Sequence, residues 1–107
     1  MKNQFEERFS IKIEGELKEI LSLCKDEPIF YEEEKRLLSI GEILNSKEEL
    51  SLNENVIPII DLYDNEFLVY DIANSQFTKF DISTETRFGK IESTREYIDK
   101  IRNYLDM

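Results

Sequence analysis

Near the start of the chain, apolar positions follow the repeat of an α-helix. Between residues 13 and 24 they fall at i, i+4, i+7, i+8 and i+11, with charged residues between them. This spacing places the apolar side chains on one face of a helix. Pro28 lies just beyond and blocks its continuation. The pattern therefore predicts a helix over residues 13–24, with its apolar face in the core.

The next segment is less regular and then turns helical. Residues 29–38 fit neither a helical nor a strand period, so we predict a loop that runs into a short strand at 36–38. Ser39 and Glu42 have the spacing of a capping box and predict a short helix. The same spacing recurs over residues 46–49 and predicts another helical turn.

Three apolar or alternating segments follow, at residues 56–60, 66–72 and 76–82. Asp64 and Asn65 can supply the positive φ angles of a tight turn between the first two. Pro58 lacks a backbone donor, which suits an edge strand or a bulge. The region from 56 to 82 is therefore predicted to form an antiparallel meander.

A polar linker is predicted over residues 83–92, and residues 93–96 then have the spacing of a third capping box. The helix that follows carries an apolar stripe made of Tyr97, Ile98, Ile101, Tyr104 and Leu105. Together the elements indicate an α+β fold. A small mixed or antiparallel sheet is flanked by an N-terminal and a C-terminal helix.

At 107 residues the chain is long enough for a single domain over residues 1–107. We expect one core, built from the following residues: Leu17, Ile20, Leu21, Ile43, Leu44, Ile57, Leu68, Tyr70, Phe80, Ile98 and Ile101.

The charge balance is strongly acidic, with 24 acidic residues against 14 basic ones and a net charge of -10. Such a field repels nucleic acids and anionic membranes and favours encounter with basic proteins. We therefore expect a basic protein partner, no direct binding of nucleic acid and no membrane association. A second interpretation is that the acidity only keeps the protein in solution.

Residue types also indicate the cellular compartment. Cys24 is the only cysteine, so no internal disulfide forms, and its place on an apolar helical face predicts a buried structural thiol. The first eight residues lack the apolar centre of a secretion signal, and no apolar run reaches the length of a membrane span. We expect a cytoplasmic protein.

Composition excludes several classes of active site. The chain has no histidine, which excludes Ser-His and Cys-His nucleophile pairs, and its three glycines are too far apart for a phosphate-binding loop. Carboxylates remain: Asp61, Asp64, Glu66 and Asp71 gather around one hairpin, where a cation such as Mg²⁺ would accept them. A metal-dependent enzyme that uses these four carboxylates is thus one hypothesis. The prediction that we adopt instead has no catalytic residue, no metal and no cofactor.

Four short motifs follow one another along the chain: ELKEILSL at residues 16–23, KRLLSIGEIL at 35–44, VIPII at 56–60 and FLVYD at 67–71. Their order resembles that of the SUKH superfamily, the Smi/Knr-like proteins. The resemblance covers roughly residues 13–105. It implies an α+β fold with a mixed sheet and no catalytic activity. It also implies a role in neutralising a toxin, often a nuclease, by binding it.

This resemblance and the charge lead to one predicted function. An acidic inhibitor complements a nuclease toxin that is basic around its substrate groove. We predict an immunity or antitoxin-type protein that neutralises a basic, nuclease-like toxin domain. The alternative is a phage- or plasmid-encoded acidic mimic of nucleic acid that inhibits a DNA-binding enzyme.

The predicted partner-binding residues lie on the hairpin over residues 61–71. Its carboxylates crowd a short turn that cannot bury them all without partners, and a neighbouring tyrosine could supply contact area. The predicted site consists of Asp61, Tyr63, Asp64, Glu66 and Asp71. The acidic run at residues 32–34 is the second choice.

Overall fold

The computed structural model describes residues 4–88 and 93–106 and has the predicted α+β architecture. In chain order its elements are α1 (Gln4–Phe9), α2 (Gly15–Leu21), β1 (Ile29–Glu32), β2 (Lys35–Leu37), α3 (Ile40–Leu44), α4 (Ser46–Glu49), β3 (Val56–Tyr63), β4 (Glu66–Asp71), β5 (Gln76–Asp81), β6 (Thr86–Phe88) and α5 (Thr94–Leu105).

The strands form one sheet in the order β1-β2-β3-β4-β5-β6, and each neighbouring pair is antiparallel. The sheet is therefore antiparallel throughout rather than mixed, and the meander predicted over residues 56–82 forms its centre. Because consecutive strands reverse direction, the β1–β2 and β3–β4 turns project from the same end of the sheet. The β4–β5 turn projects from the opposite end.

The two central strands are buried on both faces. Residues 56–60 of β3 and residues 67–69 of β4 are all buried, although neighbouring side chains in a strand point to opposite sides. Helices cover each side. Leu17 of α2 and Thr94 of α5 lie against the face that carries Tyr70, while Arg36 on the other face bonds to α3.

Glycine explains why α2 is shorter than predicted. The helix begins at Gly15, whose φ of +62° is a conformation that glycine adopts without steric cost, and Ile13 is buried ahead of the helix. At the other end, the amides of Leu23 and Cys24 bond to carbonyls three residues back, which closes the last turn. The apolar face is core, as predicted, but the helix covers only residues 15–21.

Three elements escaped prediction. Residues 29–32 form a strand, not a loop, because β1 pairs with β2 in a hairpin whose turn holds Glu33 at a φ of 43°. The predicted linker contains β6, which pairs with β5, while residues 89–92 of that linker lie outside the described residues. Helix α1 is held by the buried Phe5 and by Arg8, which donates to the Leu44 carbonyl.

Capping and bulge predictions are mostly confirmed. Ser39 and Glu42 form the capping box of α3, and Pro58 lies in a central strand at a bulge, not at an edge. The box predicted for α5 is incomplete, because Ser93 accepts its bond from the amide of Arg95 and not from that of Glu96. One side-chain bond caps that helix instead of two.

The buried residues form one cluster that includes nine of the eleven predicted core residues, and Leu44 and Tyr70 pack against its margin. The stripe of α5 behaves differently along its length. Ile98 and Ile101 are fully buried, whereas Tyr104 and Leu105 are 44% and 38% exposed. The stripe thus extends beyond the core.

The burial of each side chain predicts how much its truncation to alanine destabilises the protein. Leu21→Ala and Ile98→Ala should each lower the free energy of unfolding by about 2–5 kcal/mol, because each leaves a cavity in the core. Leu105→Ala, on the same stripe as Ile98, should change it by less than about 0.5 kcal/mol. Urea denaturation measures all three. Equal losses for Ile98→Ala and Leu105→Ala would contradict the assigned helix face.

Candidate partner-binding surface

Two acidic turns lie at one end of the sheet. Arg36 of β2 lies opposite Asp61 of β3. Extending this antiparallel register by two residues places Glu34 opposite Tyr63. The end of β5 joins them, because the Ile82 amide donates to the Asn65 carbonyl at 3.0 Å. The acidic run of β1–β2 and the predicted hairpin tip, treated as alternatives from sequence, therefore lie at the same end of the fold.

Asp61 stabilises the tip from within. One of its carboxylate oxygens accepts a 2.8 Å bond from the Tyr63 amide, and the other lies 3.3 Å from the Arg36 guanidinium. Arg36 also bonds Glu42 at the start of α3, at 2.5 Å. Asp61 is thus an internal partner that positions the turn, with only part of its carboxylate available to a ligand.

The tip backbone is unusual because three consecutive residues, none of them glycine, have positive φ angles. The values are 86° for Tyr63, 58° for Asp64 and 67° for Asn65. Asn and Asp tolerate this conformation, whereas a tyrosine does so at a cost. The predicted turn is confirmed, and it presents Tyr63 to solvent with 58% of its surface exposed.

Four carboxylates at this end have no internal partner. Within the described residues, the side chains of Glu33, Glu34, Asp64 and Glu66 make no hydrogen bond or ion pair. We call these four residues the acidic turn end. Glu66 also lies directly opposite Asp81 on β5, a pairing of like charges that destabilises a sheet. The charge here is therefore uncompensated by the fold.

Helix α5 brings apolar surface to the same end. The Lys100 ammonium lies 3.1 Å from Glu32, the last residue of β1, and lowers the pKa of that carboxyl. Tyr104 follows Lys100 by one helical turn on the same side of the helix. Tyr104 and Leu105 therefore reach past the core beside the β1–β2 turn. The sequence pattern placed both on the apolar stripe of the helix, and only the length of the sheet shows where that stripe becomes exposed.

Asp71 does not belong to this surface, contrary to the prediction from sequence. It lies at the far end of β4 from Glu66 and is fully buried. The Arg87 guanidinium bonds it at 2.6 Å and holds the pKa of the carboxyl below its usual value, and the Asn74 amide adds a 2.7 Å bond. Asp71 thus connects β4 to β6. The spacing in sequence missed this because Arg87 lies 16 residues away.

The hypothesis of a four-carboxylate metal site has no geometric basis, because Asp71 lies at the other end of β4 from Asp64 and Glu66. Within residues 4–88 and 93–106, no three acidic or cysteine side chains are arranged to hold a metal ion. Cys24 is buried, as predicted, and burial raises the pKa of its thiol to about 12. That thiol stays protonated at neutral pH.

No protein-family model, curated protein or solved structure matches this chain. None of the helices within the described ranges has the length and apolar character needed to cross a membrane.

The Asp71–Arg87 pair predicts an acid-sensitive contribution to stability. Asp71→Asn should lower the free energy of unfolding by about 2–3 kcal/mol at pH 7, because Arg87 loses its buried partner. Because folding lowers the pKa of Asp71, this contribution is present above pH ~4 and is lost as the pH falls further. Denaturation from pH 7 to pH 3 should show the gap between wild type and variant closing. A gap independent of pH would contradict the pairing.

Backbone conformation predicts that a substitution at Glu33 stabilises the protein. Glu33→Gly should raise the free energy of unfolding by about 0.5–1 kcal/mol, because glycine adopts a φ of 43° without strain. Glu34→Gly removes the same charge one residue later, where φ is not positive, and should lower it by a similar amount. Thermal and urea denaturation measure both variants. A stabilised Glu34→Gly would show that charge relief, not backbone strain, dominates at this turn.

Proposed function

We propose that this chain is a non-catalytic immunity or antitoxin-type protein that binds and neutralises a basic, nuclease-like toxin domain in the cytoplasm. The acidic turn end is the docking surface, with Tyr63 and the end of α5 beside it. Asp61 supports that surface from within, and Asp71 lies outside it.

The observation that carries the proposal is that the carboxylates of the acidic turn end do not contribute to the stability of the fold through any hydrogen bond or ion pair within the described residues. Glu33 and Asp64 occupy positive-φ positions where glycine would cost less, yet their side chains make no hydrogen bond or ion pair within the described residues. Other acids stabilise the fold, as where Glu19 accepts two bonds from Arg95 at 2.6 and 2.7 Å. A cationic partner accounts for the gathering of four unpartnered acids at one end of the sheet.

The surroundings of these charges suit a protein partner better than a small ion. Tyr63 and Tyr104 are half exposed at the same end, and tyrosines are enriched where interfaces bury contact area. The net charge of -10 attracts a basic surface over a longer range. The SUKH-like order of motifs in residues 16–71 adds the expectation that this partner is a toxin.

The direct test is growth rescue in the native gene context. The protein is co-expressed with the toxin-like product encoded next to its gene, under conditions where that product alone arrests growth. Rescue by the wild-type chain is the expected result. A neighbouring basic product that remains toxic in its presence, or a neighbourhood with no such gene, would contradict the proposal.

Charge reversal then tests the surface. Glu33→Lys with Asp64→Lys should slow association with the basic partner by about tenfold at low salt and should flatten its salt dependence, because steering charge is lost. Asp61 is left intact, since a lysine there would face Arg36. Stopped-flow fluorescence across a salt series measures the rate.

A matched control changes the net charge by the same amount elsewhere. Glu7→Lys with Glu96→Lys alters two exposed acids on α1 and α5 that make no ion pair within the described residues. This variant should keep most of the wild-type rate. Equal slowing by both variants would assign the effect to net charge alone. Displacement of the partner by duplex DNA at equal occupancy would instead favour the acidic mimic of nucleic acid.

A further inference from the structure

A groove at the opposite end of the fold has no role in the proposed toxin contact. It has a volume of about 370 Å³ and lies between the start of α2, the start of α5 and the β4–β5 turn. Leu17, Tyr70 and Phe77 line it with apolar and aromatic surface, and Glu14, Glu16 and Gln76 also line it. The groove thus combines an aromatic surface with carboxylates.

The aromatic surface is a cross-strand pair. Tyr70 of β4 lies opposite Phe77 of β5, with ring centroids 5.3 Å apart and planes at 73°. This edge-to-face arrangement fixes both rings, and both remain partly exposed along the groove. The face of an aromatic ring is electron-rich and attracts a cation that lies over it.

The carboxylates are only weakly engaged. Glu14 lies 3.7 Å from Lys12, in a pair where both side chains are more than 70% exposed, and such pairs contribute little. Glu16 lies 3.6 Å from Arg95, which already makes two shorter bonds to Glu19. Among the described residues that line the groove there is no lysine or arginine. Its two carboxylates are therefore held only by weak ion pairs, which a cation from outside can replace.

We infer that this groove binds a guanidinium or ammonium group, either as a basic side chain of a peptide or as a free small cation. The cation lies against Tyr70 and Phe77, and the carboxylates of Glu14 and Glu16 accept its hydrogen bonds. A charge of this kind is attracted by both the rings and the acids, whereas a neutral urea of equal shape makes no cation–π interaction and only weaker, uncharged hydrogen bonds.

The test uses probes of equal shape. The peptide acetyl-Ala-Arg-Ala-amide is titrated into ¹⁵N-labelled protein, and amide shifts are followed by NMR. The citrulline peptide replaces the charged guanidinium with a neutral urea. Agmatine supplies the same guanidinium as a free small molecule. We expect saturable shifts at residues 75–77 with the arginine peptide, and little or no response to the citrulline peptide.

Variants assign the binding to these groups. Phe77→Leu should weaken binding by about two- to fivefold, and Glu14→Gln with Glu16→Gln should weaken it further. Glu33→Gln with Glu34→Gln changes the net charge equally at the acidic turn end and should bind the probe as wild type does. Because those two residues belong to the proposed toxin surface, loss of one function is distinguishable from loss of the other.

Each outcome decides the inference. Tighter binding of the peptide than of agmatine assigns the groove to a basic segment of a protein, and the reverse assigns it to a free small cation; both support the cation site. Equal binding of the arginine and citrulline peptides would overturn it. Shifts that survive the change of Glu14 and Glu16 but vanish with that of Glu33 and Glu34 would overturn it as well.

Discussion

Burial of β3 and β4 on both faces is the constraint on which the rest of the structure depends. Two runs of apolar residues, 56–60 and 67–69, are buried on both faces of the sheet. A sheet of this kind needs helices on both faces; α2 and α5 cover one face, and α3 lies on the other. Because charged groups cannot remain in such a core unpaired, they lie on helix surfaces or at the turns.

The ion pairs follow from the same constraint. Asp71, fully buried at the end of β4, bonds to Arg87 and so attaches the short strand β6 to the sheet centre. Arg95 on α5 binds Glu19 on α2 and connects the two helices on one face. These acids stabilise the fold. The acidic turn end differs because four carboxylates that have no partner within the described residues lie together at one end of the sheet.

Sequence patterns predicted the parts of the fold that local spacing determines. The meander at 56–82, the capping box at Ser39 and the buried half of α5 all follow from the period of apolar residues or from a cap. Elements that depend on distant partners were missed. Helix α1 relies on contacts with residues near position 44, and β6 on pairing with β5. The spacing of apolar residues within either segment does not indicate those contacts.

The candidate surface likewise combines residues that local spacing predicts with residues whose position depends on distant contacts. The tip at Asp64 was predicted because the turn chemistry is local, whereas the burial of Asp71 and the exposure of Tyr104 depend on where the sheet ends. Sequence also treated the acidic run at 32–34 and the hairpin tip as separate choices. The antiparallel register places them at one end, which no single segment could indicate.

Hydrogen exchange on the complex with the basic partner tests most directly whether the acidic turn end is the binding surface. Amide exchange is compared by mass spectrometry between the free protein and the protein saturated with that partner. Protection is expected at residues 33–35 and 63–66, while residues 72–77 at the opposite end exchange as in the free protein. Protection confined to residues 72–77, with the two acidic turns unchanged, would contradict the assignment.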